Sequence, residues 1–260
     1  MRRFFIHPKE ISNPTPALAD DEARHIKNVL RLRPGDKIRL FDGSGGEYDA
    51  EIITLSDSSV EVLILHRIAP INDPPVEITL AQAFLKARKM DLLVRQLTEL
   101  GISKWIPFMA KRSVPKPDTK HLITRAERWR KIVIEALKQS NRGRFTEISE
   151  TVLFEDILGL APEHDLKIVF WENESKPLRI ALSSYTGPYR KILAMMGPEG
   201  GFTPDEIEDA KAAGFVTATL GPRTLRAETA SIVACALLQY LFGDMGKNVL
   251  TKIPLSNSYP

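Results

Sequence analysis

The chain has 260 residues, 43% of them hydrophobic, with 36 Lys or Arg against 33 Asp or Glu and a formal net charge of +3. That length suits two domains, and the apolar fraction supports packed cores, which excludes a disordered chain. A single cysteine excludes an intramolecular disulfide and a cysteine-rich zinc site, and five histidines scattered without ligand spacing leave no metal expected.

Residues 1–72 read as a small β-rich unit. The start, Met1-Arg2-Arg3-Phe4-Phe5-Ile6-His7-Pro8, is too briefly apolar for a secretory signal. No uninterrupted apolar run in the chain approaches the ~20 residues that cross a bilayer. A cytoplasmic protein without a membrane partner is therefore expected. A short helix is predicted over 20–32, then a turn at Arg33-Pro34-Gly35-Asp36. Strands are predicted over 37–41, 47–55 and 59–66, the first two joined through Asp42-Gly43-Ser44-Gly45-Gly46. Several short strands and one helix suggest a small barrel. Three prolines in Ala69-Pro70-Ile71-Asn72-Asp73-Pro74-Pro75 mark a stiff linker and a domain boundary.

From Val76 strands and helices alternate, the pattern of an α/β domain with a mostly parallel sheet. Strands are predicted over 77–83, 104–109, 167–171, 191–196 and 215–220, and helices over 89–100, 124–139 and 227–242. Thr203-Pro204-Asp205-Glu206 combines a capping box with a proline at the first helical position, a strong helix start. Residues 86–144 carry 16 Lys or Arg against 5 Asp or Glu, an excess suited to a polyanion. Cys235, between Ala234 and Ala236 on an apolar helix, reads as core packing.

Open α/β sheets bind ligands beyond the carboxyl ends of their strands. Three loops meet that description: Trp171-Glu172-Asn173, Gly197-Pro198-Glu199-Gly200-Gly201, and the segment from Gly221 to Thr229. Glycines after Met196 let a ligand approach the backbone, although a plain strand-to-helix turn uses the same residues. The G-x-x-x-x-G-K-[ST], G-x-G-x-x-G and G-x-S-x-G patterns are absent. Their absence disfavours a nucleotide triphosphatase, a dinucleotide oxidoreductase and an α/β-hydrolase.

Met196-Gly197-Pro198-Glu199-Gly200-Gly201-Phe202-Thr203, with Leu220-Gly221-Pro222-Arg223-Thr224-Leu225-Arg226-Ala227-Glu228-Thr229-Ala230, closely resembles the RsmE family of ribosomal RNA uridine-N3 methyltransferases, in the SPOUT superfamily. Arg3-Phe4-Phe5, the stretch His25 to Arg31, Thr98-Glu99-Leu100-Gly101 and Gln139-Ser140-Asn141-Arg142 extend the likeness over nearly the whole chain. The resemblance implies a PUA-like RNA-binding barrel over 1–72, a methyltransferase domain with a deep trefoil knot over 73–246, and a tail over 247–260. It also implies a homodimer, S-adenosyl-L-methionine as cofactor, and 16S ribosomal RNA or the small ribosomal subunit as partner. Leu220 and Gly197 to Gly201 would hold the adenine and ribose through backbone groups, with Leu225 packing beside them. Trp171, Glu172, Gly221, Arg226 and Thr229 would complete that site.

Uracil N3 carries a proton and is a poor nucleophile at neutral pH, so a base or an anion-stabilising cation is required. Arg226 is the first candidate for the cation, and Glu228 or Glu199 could orient it or take the proton. A structural salt bridge for Arg226 and a helix N-terminal carboxylate for Glu228 are the alternative roles. Arg2, Arg3, Arg24, Lys27, Arg31 and Arg33 in the barrel are RNA-binding candidates, with Lys86, Arg88, Lys89, Arg125, Arg128 and Arg142 beyond it. Two positions depart from the family pattern: Gln96 replaces a lysine, and Lys138 an acidic residue. A methyltransferase of transfer RNA and a non-catalytic RNA-binding protein of the same fold are the competing functions.

Overall fold

The computed structural model describes residues 2–56, 58–68, 73–86, 88–114, 117–183 and 189–246. The first half of the predicted linker, 69–72, and the predicted tail, 247–260, lie outside the described residues.

The N-terminal unit is a five-stranded sheet. Its elements are β1 (Arg3–Phe5), α1 (Pro8–Ile11), β2 (Ala17–Ala19), α2 (Asp20–Arg24), β3 (Lys37–Phe41), β4 (Glu47–Leu55) and β5 (Ser59–Ile68), with strand order β1-β3-β4-β5-β2. Period-2 alternation turns Ile38, Leu40, Ala50, Ile52, Val60 and Val62 inward, where they meet Phe4, Ile6, Leu18, Ala23 and Ile26. The helix predicted over 20–32 is shorter. After α2 it loosens into a π-type turn, His25–Val29, and the chain passes through a left-handed Arg31 at φ +52. Such a backbone cannot continue a right-handed helix.

The second unit holds β6 (Glu77–Ala83), α3 (Lys89–Glu99), β7 (Lys104–Met109), α4 (Thr119–Ser140), β8 (Glu147–Ile148), β9 (Val152–Leu153) and α5 (Phe154–Gly159). It continues through β10 (Leu166–Phe170), α6 (Leu178–Ala181), β11 (Lys191–Met196), α7 (Pro204–Ala212), β12 (Val216–Ala218) and α8 (Ala227–Phe242). The strand order is β12-β10-β11-β6-β7-β8, with β9 also on β7, and every described pairing is parallel. Both faces of this sheet are covered, which is why Ile192 to Met196 of β11 read as a continuous apolar run. One core packs Ile78, Leu80, Ile192 and Ala194 against α3, α4 and α8; the other packs Ala81, Ala83, Leu193 and Met195 against α5 and α7. Helix α4 begins at 119 instead of 124, because Asp118 caps it by accepting from the His121 backbone N–H at 2.8 Å. Cys235 is fully buried in α8, as its apolar neighbours suggested.

The two units share a tight seam. The Arg3 guanidinium is buried, pairs with Glu47, lies over the Phe41 ring, and donates to the carbonyls of Leu137 at 2.8 Å and Arg142 at 2.9 Å. Phe5 packs on Phe145, and Lys138 bridges Glu22 of α2 and Glu135 of its own helix. Lys138 thus has an inter-unit role in this chain. Among the described residues no helix is long and apolar enough to cross a membrane, and no group of three or more His, Cys, Asp or Glu is placed to hold a metal.

Candidate active site

Register places the site. Phe170 of β10 pairs with Met196 of β11 on one side and with Ala218 of β12 on the other. Three strand ends therefore stand level, and the loops that leave them run side by side. Between these loops lies a cleft of about 580 Å³. Its walls include Trp171, Glu172, Glu174, Ser175 and Pro177 from the first loop, Gly197, Pro198, Glu199 and Gly201 from the second, and Thr219 to Leu225 with Ala227 and Ala230 from the third. A smaller cavity of about 150 Å³ at the amino ends of the strands, lined by Glu77, Thr79, Lys104, His164 and Lys191, is remote from these loops.

The loops are held by specific local chemistry. Gly201 has φ +66, and a Cβ there would overlap the Glu172 carboxylate. The residue therefore serves both a left-handed turn and a close approach. Thr203 and Glu206 form the predicted reciprocal capping box, and the same Glu206 carboxylate accepts from the Lys111 backbone N–H at 2.8 Å. The third loop is pinned where Thr219 bridges Pro177 and its backbone N–H donates to Lys176 at 2.9 Å. Beneath the cleft, fully buried Gln82 donates to the Gly197 carbonyl at 3.4 Å and accepts from the Ser231 hydroxyl at 2.5 Å. One amide thus ties the second loop to helix α8.

Charge gathers at one rim. Lys89 Nζ lies 3.0 Å from Glu199 Oε1 and 3.1 Å from Glu228 Oε2, and the Lys86 backbone N–H also donates to Glu199 at 3.0 Å. Burial alone would raise the Glu199 carboxyl, but the Lys86 amide and the Lys89 ammonium outweigh it and hold the group below its ordinary range. Burial likewise opposes ionisation of Glu228, and is outweighed by the residue's own backbone N–H, Lys89 and the nearby Arg226 charge. Lys89 is raised, first by its bond to Glu199 and then by that to Glu228. All three groups are ionised at neutral pH. Arg226 occupies the N-cap of α8 with its side chain exposed.

Of the residues singled out from sequence for the cofactor, Trp171, Glu172, Gly197, Pro198, Glu199, Gly201, Leu220, Gly221 and Leu225 line one cleft. Gly200, Arg226 and Thr229 stand outside its lining: Gly200 backs onto Arg112, which donates to its carbonyl at 3.0 Å, and the other two are exposed beside the mouth. The RNA-binding candidates divide. Arg2, Arg24, Lys27, Arg31, Arg33, Lys86, Arg88 and Arg128 are exposed. Arg125 is half-buried over the Phe84 ring, 5.8 Å from its centroid.

Two candidates need correction. Arg3 is enclosed in the seam, and Arg142 is buried, donating to the carbonyls of Thr98 at 2.7 Å and Ile102 at 3.4 Å. A guanidinium so enclosed does not reach a phosphate. Lys89, also read as an RNA contact, is engaged with two carboxylates. Gln82 is a further site residue, and its signal in the sequence is a polar side chain among Leu80, Ala81 and Ala83 at the carboxyl end of the strand.

A family model for an RNA methyltransferase domain matches residues 72–239, and one for an RNA methyltransferase PUA domain matches residues 18–65. The ribosomal RNA small subunit methyltransferase E of Bacillus subtilis (strain 168) is 34% identical over 247 residues, 92% of this chain and 96% of that protein. The chain belongs to the ribosomal RNA small subunit methyltransferase E family. The family's Synechocystis protein is 31% identical over 92% of this chain and 77% of its own length. A crystal structure of the Neisseria gonorrhoeae member bound to S-adenosyl methionine superposes with a TM-score of 0.84 at 34% identity, covering 94% of this chain and 99% of that one.

Proposed function

We propose that the chain is an S-adenosylmethionine-dependent methyltransferase acting on N3 of a uridine in 16S ribosomal RNA. The observation that carries the reading is the cleft at three level strand ends with Arg226 beside its mouth, in a chain of this family. The residues fit the cofactor. Leu220, Pro222, Leu225 and Ala230 offer apolar surface to an adenine, and the Glu172 carboxylate stands ready to accept from ribose hydroxyls. The buried indole N–H of Trp171 lacks a protein partner, so an acceptor on the ligand would satisfy it. When bound, the cofactor supplies an electrophilic methyl group.

This chain's residues supply the rest. Arg226, exposed at the start of α8, stabilises the anion that develops on the uracil carbonyl oxygens as N3 gives up its proton to water. Glu199 and Glu228 are weaker proton acceptors than ordinary carboxylates, because both are held ionised by Lys89 and backbone N–H groups. Of the two roles considered, that of proton acceptor is therefore the less favourable for either carboxylate. Residues 1–72 hold RNA, with help from exposed cations of the second unit, and 73–246 carry methyl transfer. The ion pairs Lys138–Glu22 and Lys131–Asp21 set α2 beside α4, which supports one continuous RNA-binding face.

A trefoil knot, a homodimer and a cytoplasmic setting belong to the same proposal. The knot is supported by the path of the third loop: it is pinned to residues 176–177 near the sheet edge, and α8 then returns to β6, where Ser231 meets Gln82. The proposal is tested with Arg226→Ala. That variant should bind S-adenosylmethionine within about threefold of wild type while losing at least two orders of magnitude in methyl transfer, the scale of removing one preorganised charge. Full activity would remove Arg226 from the mechanism.

A further inference from the structure

Four charged groups meet at the rim of the cleft, and three are already locked together. Lys89, at the start of α3, reaches Glu199 of the second loop at 3.0 Å and Glu228 of α8 at 3.1 Å. Its side chain is 29% exposed, and those of Glu199 and Glu228 are 24% and 14% exposed, so the cluster is only partly screened by solvent. The fourth group, Arg226, stands two residues before Glu228, close enough for its charge to act on that carboxylate, but the described ion pairs leave its guanidinium unengaged. Without Lys89, the Glu228 carboxylate, on which the Arg226 charge already acts, would have no ion-pair partner among the described residues. A guanidinium binds a carboxylate through paired hydrogen bonds, which draw it toward that carboxylate and neutralise the charge it would otherwise offer to a substrate oxygen.

We propose that Lys89 is a positioning residue which, by occupying Glu199 and Glu228, keeps Arg226 free for the target base. This rests on the reading of Arg226 given above. It replaces the phosphate-contact role that the charge pattern suggested for Lys89. Lys89 also joins the β6–α3 connection to both cofactor loops, since the preceding Lys86 amide holds Glu199 as well. Loss of the lysine would therefore misdirect the arginine while leaving the apolar cleft intact.

The test reads Arg226 directly. Phenylglyoxal modification of the full chain, without cofactor or RNA and resolved by mass spectrometry, is compared among wild type, Lys89→Met, Lys89→Arg, Glu228→Gln and the Lys89→Met/Glu228→Gln double variant. Lys89→Met should slow modification of Arg226 at least fivefold. Lys89→Arg should restore it, and so should removing the competing carboxylate in the double variant. In methylation assays Lys89→Met should lower kcat with KM for RNA and affinity for S-adenosylmethionine within about threefold, and the double variant should regain activity over Lys89→Met.

Unaltered Arg226 reactivity in Lys89→Met, or no recovery in the double variant, overturns the proposal. So does a raised KM for RNA with kcat and Arg226 reactivity unchanged, which would make Lys89 a phosphate contact. Should Lys89→Met fail to fold, Glu228→Gln decides: Arg226 modified more slowly than in wild type overturns the proposal. Absence of methylation by wild type would refute the functional reading instead, and the modification arm would still decide the role of Lys89.

Discussion

Gly201→Ala tests whether the second loop builds the cofactor site or merely turns the chain. Gly201 has φ +66, and its N–H donates to the Pro198 carbonyl at 2.9 Å to close the turn. An alanine in this left-handed conformation costs roughly 1–2 kcal/mol in backbone strain. Its Cβ would also overlap the Glu172 carboxylate and lie 2.8 Å from Glu172 Cδ. Glu172 is exposed, so its carboxylate swings aside with little further loss of stability, but it leaves the place where the ribose would be held. Gly214→Ala is the matched control. It has φ +87 at the end of α7, its nearest neighbour would be Lys167 Cε at 3.9 Å, and it is not part of the cleft lining. Both variants should melt roughly 2–8 °C below wild type, from that strain and the ~2–4 °C per kcal/mol typical of this size. Calorimetric titration with S-adenosylmethionine should then separate them: Gly201→Ala weakened at least tenfold, Gly214→Ala unchanged. Equal affinities in the two would refute the cradle, leaving the glycine with a conformational role alone.

Other consequences are open to measurement. Arg3→Met should destabilise the chain by roughly 3–5 kcal/mol, because it leaves buried Glu47 unpaired, and urea unfolding should show this. A variant of unchanged stability with weaker RNA binding would return Arg3 to the RNA surface. The rim cluster predicts a pH window. Glu199 and Glu228 titrate below the usual 4.5 in the folded chain, so folding binds fewer protons; their contribution is full above 4.5 and is lost as pH falls through the folded values. Lys89 titrates above the usual 10.5, so its contribution is full below 10.5 and is lost as pH rises through the folded value. The melting-temperature advantage of wild type over Lys89→Met should therefore be flat from about pH 5 to pH 10 and shrink on either side. RNA binding should weaken steeply between 50 and 200 mM salt, as for any protein that displaces counterions from phosphates. Arg33→Ala should lower the logarithmic salt slope by about 1 if Arg33 contacts a phosphate.

The sheet was legible where strands and helices are long enough for periodicity: β6, β7, β11 and α8 lie where the apolar patterns put them. Short elements such as β1, β2 and α6 span three or four residues, too few to show a period, and the two strands form through pairing with distant partners. The cofactor loops were legible for a local reason: a glycine turn followed by a capping box is written in consecutive residues. The charged side chains were not. Arg3 and Lys89 looked like surface cations because their counterions are far along the chain, Glu47 at a separation of 44 residues and Glu199 at 110. Composition cannot tell a basic residue awaiting phosphate from one whose carboxylate arrives with the fold.

The decisive experiment incubates the chain with methyl-labelled S-adenosylmethionine and small ribosomal subunits, or their RNA, from cells lacking the modification, then maps the label. One methyl group on N3 of a single 16S uridine is the predicted result. No label in either substrate, or label on another base or on transfer RNA, would contradict it.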